Sequence, residues 1–245
     1  MKPPALPCLE RAGLDGWMVR LFDSIDEKNL LWLTALAEEC ESVFGSTLVD
    51  LVPSYTTLLV VFDPFQTTPC EARQKLLDIL ATLRPAEAGT GGELHELPTW
   101  YDLQVGPDLQ RVADLSELSV EAVIEAHCAR EYRVFALGFA PGFAFMGLLD
   151  PALTCPRLDT PRQKVPAGSV AIAGQQTAAY PVVTPGGWNL IGRTPARLFD
   201  RNREGFSLLR VGDRVRFVAA TREKFEAEGG DTKPADQTLE KGAAK

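Results

Sequence analysis

The chain has 245 residues, 45% hydrophobic and 24% charged, with a formal net charge of −8. That length allows one or two domains with a sizeable core, and the acidic balance argues against a general nucleic-acid or anionic-membrane role. Five cysteines without a C-x-x-C pair argue against a disulfide framework or structural zinc; with no signal-peptide run and no apolar span of about 18 residues, a cytoplasmic, soluble protein is expected.

In chain order, "GWMVRLF" (16–22) alternates as a strand does. Ser24 and Glu27 give a capping-box spacing. Leu30, Leu33, Leu36, Cys40 and Phe44 follow at helical intervals. "TLVDLV" and "TTLLVVF" predict two strands around the turn "PSY". Thr68, Pro69 and Glu71 mark a second helix start. "RPAEAGTGG" predicts a loop and "ELHELP" a closing strand. The order β-α-β-β-α-β predicts a ferredoxin-like α/β domain over residues 1–100. Beyond it, "DLQRVA" and "SVEAVIEAH" predict short helices, the second capped by Ser119. From Tyr132 onward, "YRVFALGF", "GSVAIAG", "WNLIG" and "DRVRFV" are separated by Gly/Pro clusters, which predicts a β-barrel or sandwich over residues 101–225. The polar residues 226–245 predict a flexible tail. The class is α+β.

Familiar catalytic signatures are missing: no P-loop, no G-x-G-x-x-G between strand and helix, and no G-x-S-x-G elbow occur. With only His95 and His127, a His-rich metal site is excluded. His127 closes a predicted helix, where the dipole favours it; the alternative is a proton shuttle or pocket residue. Residues 156–195 concentrate positive charge, with Arg157, Arg162, Lys164 and Arg193 against Asp159 alone. Arg157 and Arg162 each follow a proline, which fixes φ and stiffens the backbone that carries them. Such arginines suit a carboxylate or phosphate, or else surface ion pairs. Gln175, Gln176 and Thr177 offer groups suited to an amide or lactam, and Trp188 offers a broad face. "GFAPGFAFMG" (138–147) sets Phe139, Phe143 and Phe145 among glycines. These rings fit a pocket rim, an exposed docking anchor or a barrel interior.

The segments "EYRVFALGFAPGFAFMGLLD", "PRLDTPRQKVPAGSVAIAGQQTAAYP", "TPGGWNLIGRTPARLFD" and "VGDRVRF", with "VPSYTTLLVVFDP" and "GPDLQRVA" upstream, resemble the KipI/PxpB family, also called allophanate hydrolase subunit 1. The resemblance runs from about Gly13 to Phe225. It implies an N-terminal α/β domain and a C-terminal cyclophilin-like β-barrel. It also implies work beside a KipA/PxpC-type subunit and a PxpA-type subunit in an ATP-dependent 5-oxoprolinase, a hydrolase opening the lactam of 5-oxo-L-proline to L-glutamate. ATP is then used by the complex, by a subunit left open. Two alternatives come with the resemblance: an inhibitor of a sensor histidine kinase, and a subunit acting on urea- or allophanate-type amides. On this reading Arg157, Arg162 and Arg193 bind an anion, Gln175 and Thr177 contact the amide, and Trp188 forms a wall. His127 is the one titrating candidate near neutral pH in the barrel half. The sequence departs from the usual family pattern at Ala178-Ala179 and at Phe145-Met146.

Overall fold

The computed structural model describes residues 6–86 and 92–235. The chain divides into two compact units, Met1–Gly91 and Gly92–Lys245. Among the described residues no helix is long and apolar enough to cross a membrane.

The first unit holds β1 (Cys8–Ala12), β2 (Gly16–Arg20), α1 (Asn29–Phe44), β3 (Leu48–Pro53), β4 (Thr57–Phe62) and α2 (Pro69–Thr82). Its four strands form an antiparallel sheet in the order β1-β2-β4-β3. Leu58, Val60 and Phe62 alternate toward α1 and α2, and meet Leu33, Leu36, Leu76 and Ile79 in one core. The capping box at α2 is present: Thr68 Oγ1 accepts from Glu71 N, and Glu71 Oε2 accepts from Thr68 N at 2.8 Å. The one expected at Ser24 and Glu27 does not form. A turn through Asp26 and Glu27 occupies that stretch, and α1 starts at Asn29, whose amide donates to the Ser24 carbonyl at 2.7 Å.

The second unit holds β5 (Leu94–Thr99), α3 (Leu109–Ser116), α4 (Val120–Cys128), β6 (Glu131–Leu137), β7 (Ala144–Gly147), β8 (Arg162–Val165), β9 (Ser169–Ala173), β10 (Gln176–Ala179), β11 (Thr184–Gly186), β12 (Asn189–Arg193), β13 (Arg214–Ala219) and α5 (Arg222–Ala227). Seven strands form a sheet in the order β12-β9-β10-β7-β6-β13-β5, while β8 and β11 pair as a separate ribbon. The mixed α+β class expected from the sequence is present.

The strand predicted from "ELHELP" exists, but it does not close the first sheet. As β5 it runs parallel to β13, Leu97 opposite Phe217. The place beside β2 is taken instead by β1, which its charged composition concealed. The boundary therefore falls at residues 91–92 and not at 100. Most of the loop expected over 84–92 lies outside the described residues.

The two edges of the seven-stranded sheet meet. Trp100, just past β5, and Arg193, at the end of β12, exchange both backbone hydrogen bonds, at 2.8 and 2.9 Å. That bridge makes the sheet a nearly closed barrel and leaves little free edge. The approach needs Gly192: a Cβ there would lie 2.8 Å from the Trp100 carbonyl oxygen. Arg193 is 1% exposed and its Nη1 donates to the carbonyls of Asp231 and Lys233, at 2.6 and 2.7 Å. The expected tail is accordingly helix α5 through Ala227, then backbone tied to the barrel through residue 235. Its last ten residues, 236–245, lie outside the described part.

The sheet buries both faces. Val170, Ile172, Ile191 and Met146 point into a core shared with Leu109 and Val112 of α3 and Val123 of α4. Ala171, Ala173, Ala178 and Leu190 point the other way, into an aromatic cluster with Phe143, Tyr180 and Trp188. Gly192→Ala is expected to destabilise the protein by about 1–3 kcal/mol through overpacking at the seam. Thermal denaturation checks this; an unchanged midpoint would mean the seam tolerates separation.

Candidate functional site

A concavity of about 320 Å³ opens on the aromatic face of the second unit. Phe143 sits at its centre, buried, with its ring centroid 4.8 Å from Phe145, 5.2 Å from Tyr180 and 5.9 Å from Trp188. These contacts are edge-to-face, the arrangement that the ring quadrupole favours. Gly186 makes the assembly possible: a Cβ there would lie 2.3 Å from the Tyr180 hydroxyl. Burial pushes the Tyr180 phenol up to about 12, against the opposing Arg157 and Arg162 charges and a backbone hydrogen bond from Trp188. Tyr180 is a protonated, neutral group at physiological pH.

The three phenylalanines of "GFAPGFAFMG" divide their roles. Phe143 is core, Phe145 is half-buried on β7, and Phe139 is 64% exposed at the lip. Phe139 has φ +68° at the centre of a γ-turn closed by Ala140 N donating to the Gly138 carbonyl at 2.8 Å. A bulky residue is uncommon in that conformation.

Of the predicted cations only Arg157 lines this concavity, its guanidinium 5.9 Å from the Trp188 ring centroid. Arg162 lies beside it, on β8, but is committed elsewhere. Its Nη2 donates to Asp108 Oδ1 at 2.8 Å, in a pair whose side chains are 12% and 9% exposed, and its Nη1 is buried without a partner. Arg193 belongs to the barrel seam. The expectation that all three arginines grip one acid is corrected: buried Asp108 holds Arg162, and the carbonyls of Asp231 and Lys233 hold Arg193, all distant in sequence.

Gln175 and Thr177 do not reach the concavity either. Gln175 is exposed in the β9–β10 turn, where its carbonyl accepts from Leu149 N at 2.9 Å. Thr177 faces the opposite core: its hydroxyl donates to the Ala171 carbonyl at 3.2 Å and lies 2.9 Å from His127 Nε2. His127 is fully buried among Tyr132 and Phe217, with Nδ1 2.7 Å from the Tyr101 hydroxyl. Burial pushes its pKa down to about 3. Both ring nitrogens are engaged, the ring is sealed from solvent and its basicity is lowered, so the expectation of a titrating catalytic residue near neutral pH is corrected. Among the described residues no three His, Cys, Asp or Glu side chains cluster as a metal site.

Two residues that sequence reasoning passed over organise the site. Tyr180 forms a wall. Asp108 accepts from Arg162 and, through Oδ2, from Leu190 N at 2.7 Å, while its own N–H donates to the Leu190 carbonyl at 3.0 Å. Asp108 stands just before α3, a position where acidic caps are common, and that was the available signal.

The family described as "Carboxyltransferase domain, subdomain C and D" matches residues 7–209. A relative from Bacillus subtilis (strain 168), named as a 5-oxoprolinase subunit, is 35% identical over 233 residues, covering 89% of this chain and 95% of the relative. The crystal structure of TTHA0988 is 40% identical with a TM-score of 0.74, over 85% of this chain; this chain spans 40% of that longer one. Kluyveromyces lactis urea carboxylase shares the fold, with a TM-score of 0.74 at 17% identity over 93% of this chain and 23% of its own.

Two measurements follow from this geometry. Asp108→Ala strands a buried guanidinium and is expected to cost about 3–5 kcal/mol, with Asp108→Ala/Arg162→Met costing less; urea unfolding compares them. The folded His127 pKa lies below its unfolded value of about 6.5. Its contribution to stability is therefore complete above that value and is lost as pH falls toward 3, at up to about 1.4 kcal/mol per pH unit. The fall in unfolding free energy from pH 6 to pH 4 should be shallower in His127→Gln than in the parent chain.

Proposed function

The chain belongs to the carboxyltransferase-domain subdomain C and D family, within its KipI/PxpB group, and from that premise we propose that it is a subunit of an ATP-dependent 5-oxoprolinase. In this reading it works with KipA/PxpC-type and PxpA-type subunits to hydrolyse 5-oxo-L-proline to L-glutamate. The name of the Bacillus subtilis relative supports the assignment.

The observation that carries it is the character of the concavity: aromatic walls and a single guanidinium. Flat rings at Phe145, Tyr180 and Trp188 suit a small cyclic molecule. Arg157 suits its carboxylate. Among the described residues, the titratable side chains on the lining are Arg157 and Tyr180, and burial holds the Tyr180 phenol protonated. The chain therefore binds and orients, and the proton acceptor and the nucleotide chemistry come from companion subunits. ATP is required because a lactam is a stable amide that needs activation before water opens it.

Phe139 favours a second reading, in which its exposed ring anchors the chain on a sensor histidine kinase. The two separate cleanly. Mixed with its partner subunits, the chain should support 5-oxoproline-dependent ADP release, and Arg157→Ala should raise KM by about 10- to 100-fold, the loss of a charged hydrogen bond. An unchanged KM removes Arg157 from the site. No turnover in any mixture, with kinase inhibition relieved by Phe139→Ala, favours the second reading.

A further inference from the structure

A second cavity, of about 600 Å³, opens in the second unit between the start of β5 and the loop leading into β13. Its floor is built. Asp213 is 5% exposed; Oδ1 accepts from Glu93 N at 2.9 Å, and Oδ2 accepts from Arg210 N at 2.7 Å and from His95 Nε2 at 3.2 Å. These bonds tie the two rims together and fix the imidazole, whose Nδ1 has no hydrogen-bond partner among the described residues.

The walls carry both signs of charge. Arg203 donates one bond, to the Arg197 carbonyl at 3.1 Å, and has no carboxylate partner among the described residues. There too, the Arg210 side chain has no partner, and the carboxylates of Glu93 and Glu204 form no ion pair. Two guanidiniums and two carboxylates thus border one cavity without neutralising one another. Glu93, Glu204 and Arg210 are exposed and Arg203 is half-buried, so a guest of one sign meets like charge on part of the rim. A molecule bearing both signs satisfies both.

We propose that this cavity binds a free acidic α-amino acid, its carboxylates on Arg203 and Arg210 and its ammonium group on the Glu93 and Glu204 side. The volume exceeds that of such a molecule and leaves room for bridging waters. The inference rests on this cavity and not on the lactam reading of the aromatic concavity.

Calorimetric titration of the full chain with L-glutamate, glutarate, inorganic phosphate and 5-oxoproline tests it. L-Glutamate should bind saturably, and glutarate, which lacks the ammonium group, at least about tenfold more weakly. Arg210→Ala and Arg203→Met should each weaken L-glutamate about tenfold or more without lowering the melting temperature. Glu93→Gln/Glu204→Gln should narrow the preference over glutarate. An excess of 5-oxoproline should not displace the amino acid. Equal binding of glutarate or phosphate would reduce the cavity to an anion patch and overturn the proposal. So would displacement by 5-oxoproline, binding indifferent to the arginines, or no saturable binding of L-glutamate.

Discussion

One buried carboxylate, Asp108, joins three parts of the second unit that are far apart in sequence. Its backbone and one oxygen clamp Leu190 of β12, its other oxygen holds Arg162 of β8, and it stands at the entrance to α3. Without it, the β8–β11 ribbon would lack its charged link to the barrel, and the ribbon carries Gly186 against Tyr180. A charge this deep costs desolvation, which only close partners offset. What it secures is a fixed position for the wall of the aromatic concavity.

The same strands serve two surfaces. Because side chains alternate along β9, β10 and β12, one set builds the core under α3 and α4 while the other supports the aromatic cluster. His127 and Thr177 fall on the first side, Trp188 and Tyr180 on the second. The polarity at the first side is structural: a neutral imidazole strung between two hydroxyls, where an unpaired group would be expensive. The second side carries one guanidinium, that of Arg157, at the edge of its aromatic walls.

Local signals were legible in the sequence. The Thr68–Glu71 capping box and the Ser119 cap are decided within a few residues, and both helices begin where those residues place them. Pairing between distant segments was not. Nothing in "ELHELP" announces a parallel partner 120 residues away, and the charged "CLERA" does not advertise a strand. The arginines depend on distant segments in the same way. Composition shows that Arg162 and Arg193 are cationic, but not that Asp108 lies 54 residues before one or that the Asp231 carbonyl lies 38 residues after the other. Trp188 and Phe143 pack in one aromatic cluster, as large rings set among glycines can wherever the fold places them.

The strand β1 has an effect beyond its five residues. By filling the place beside β2, it completes the first sheet with strands that all precede residue 63, while β5 pairs with β13 in the second. Among the described residues, each sheet is built from the strands of one unit alone. Each half thus completes its own backbone ladders, which is what a portable cassette requires.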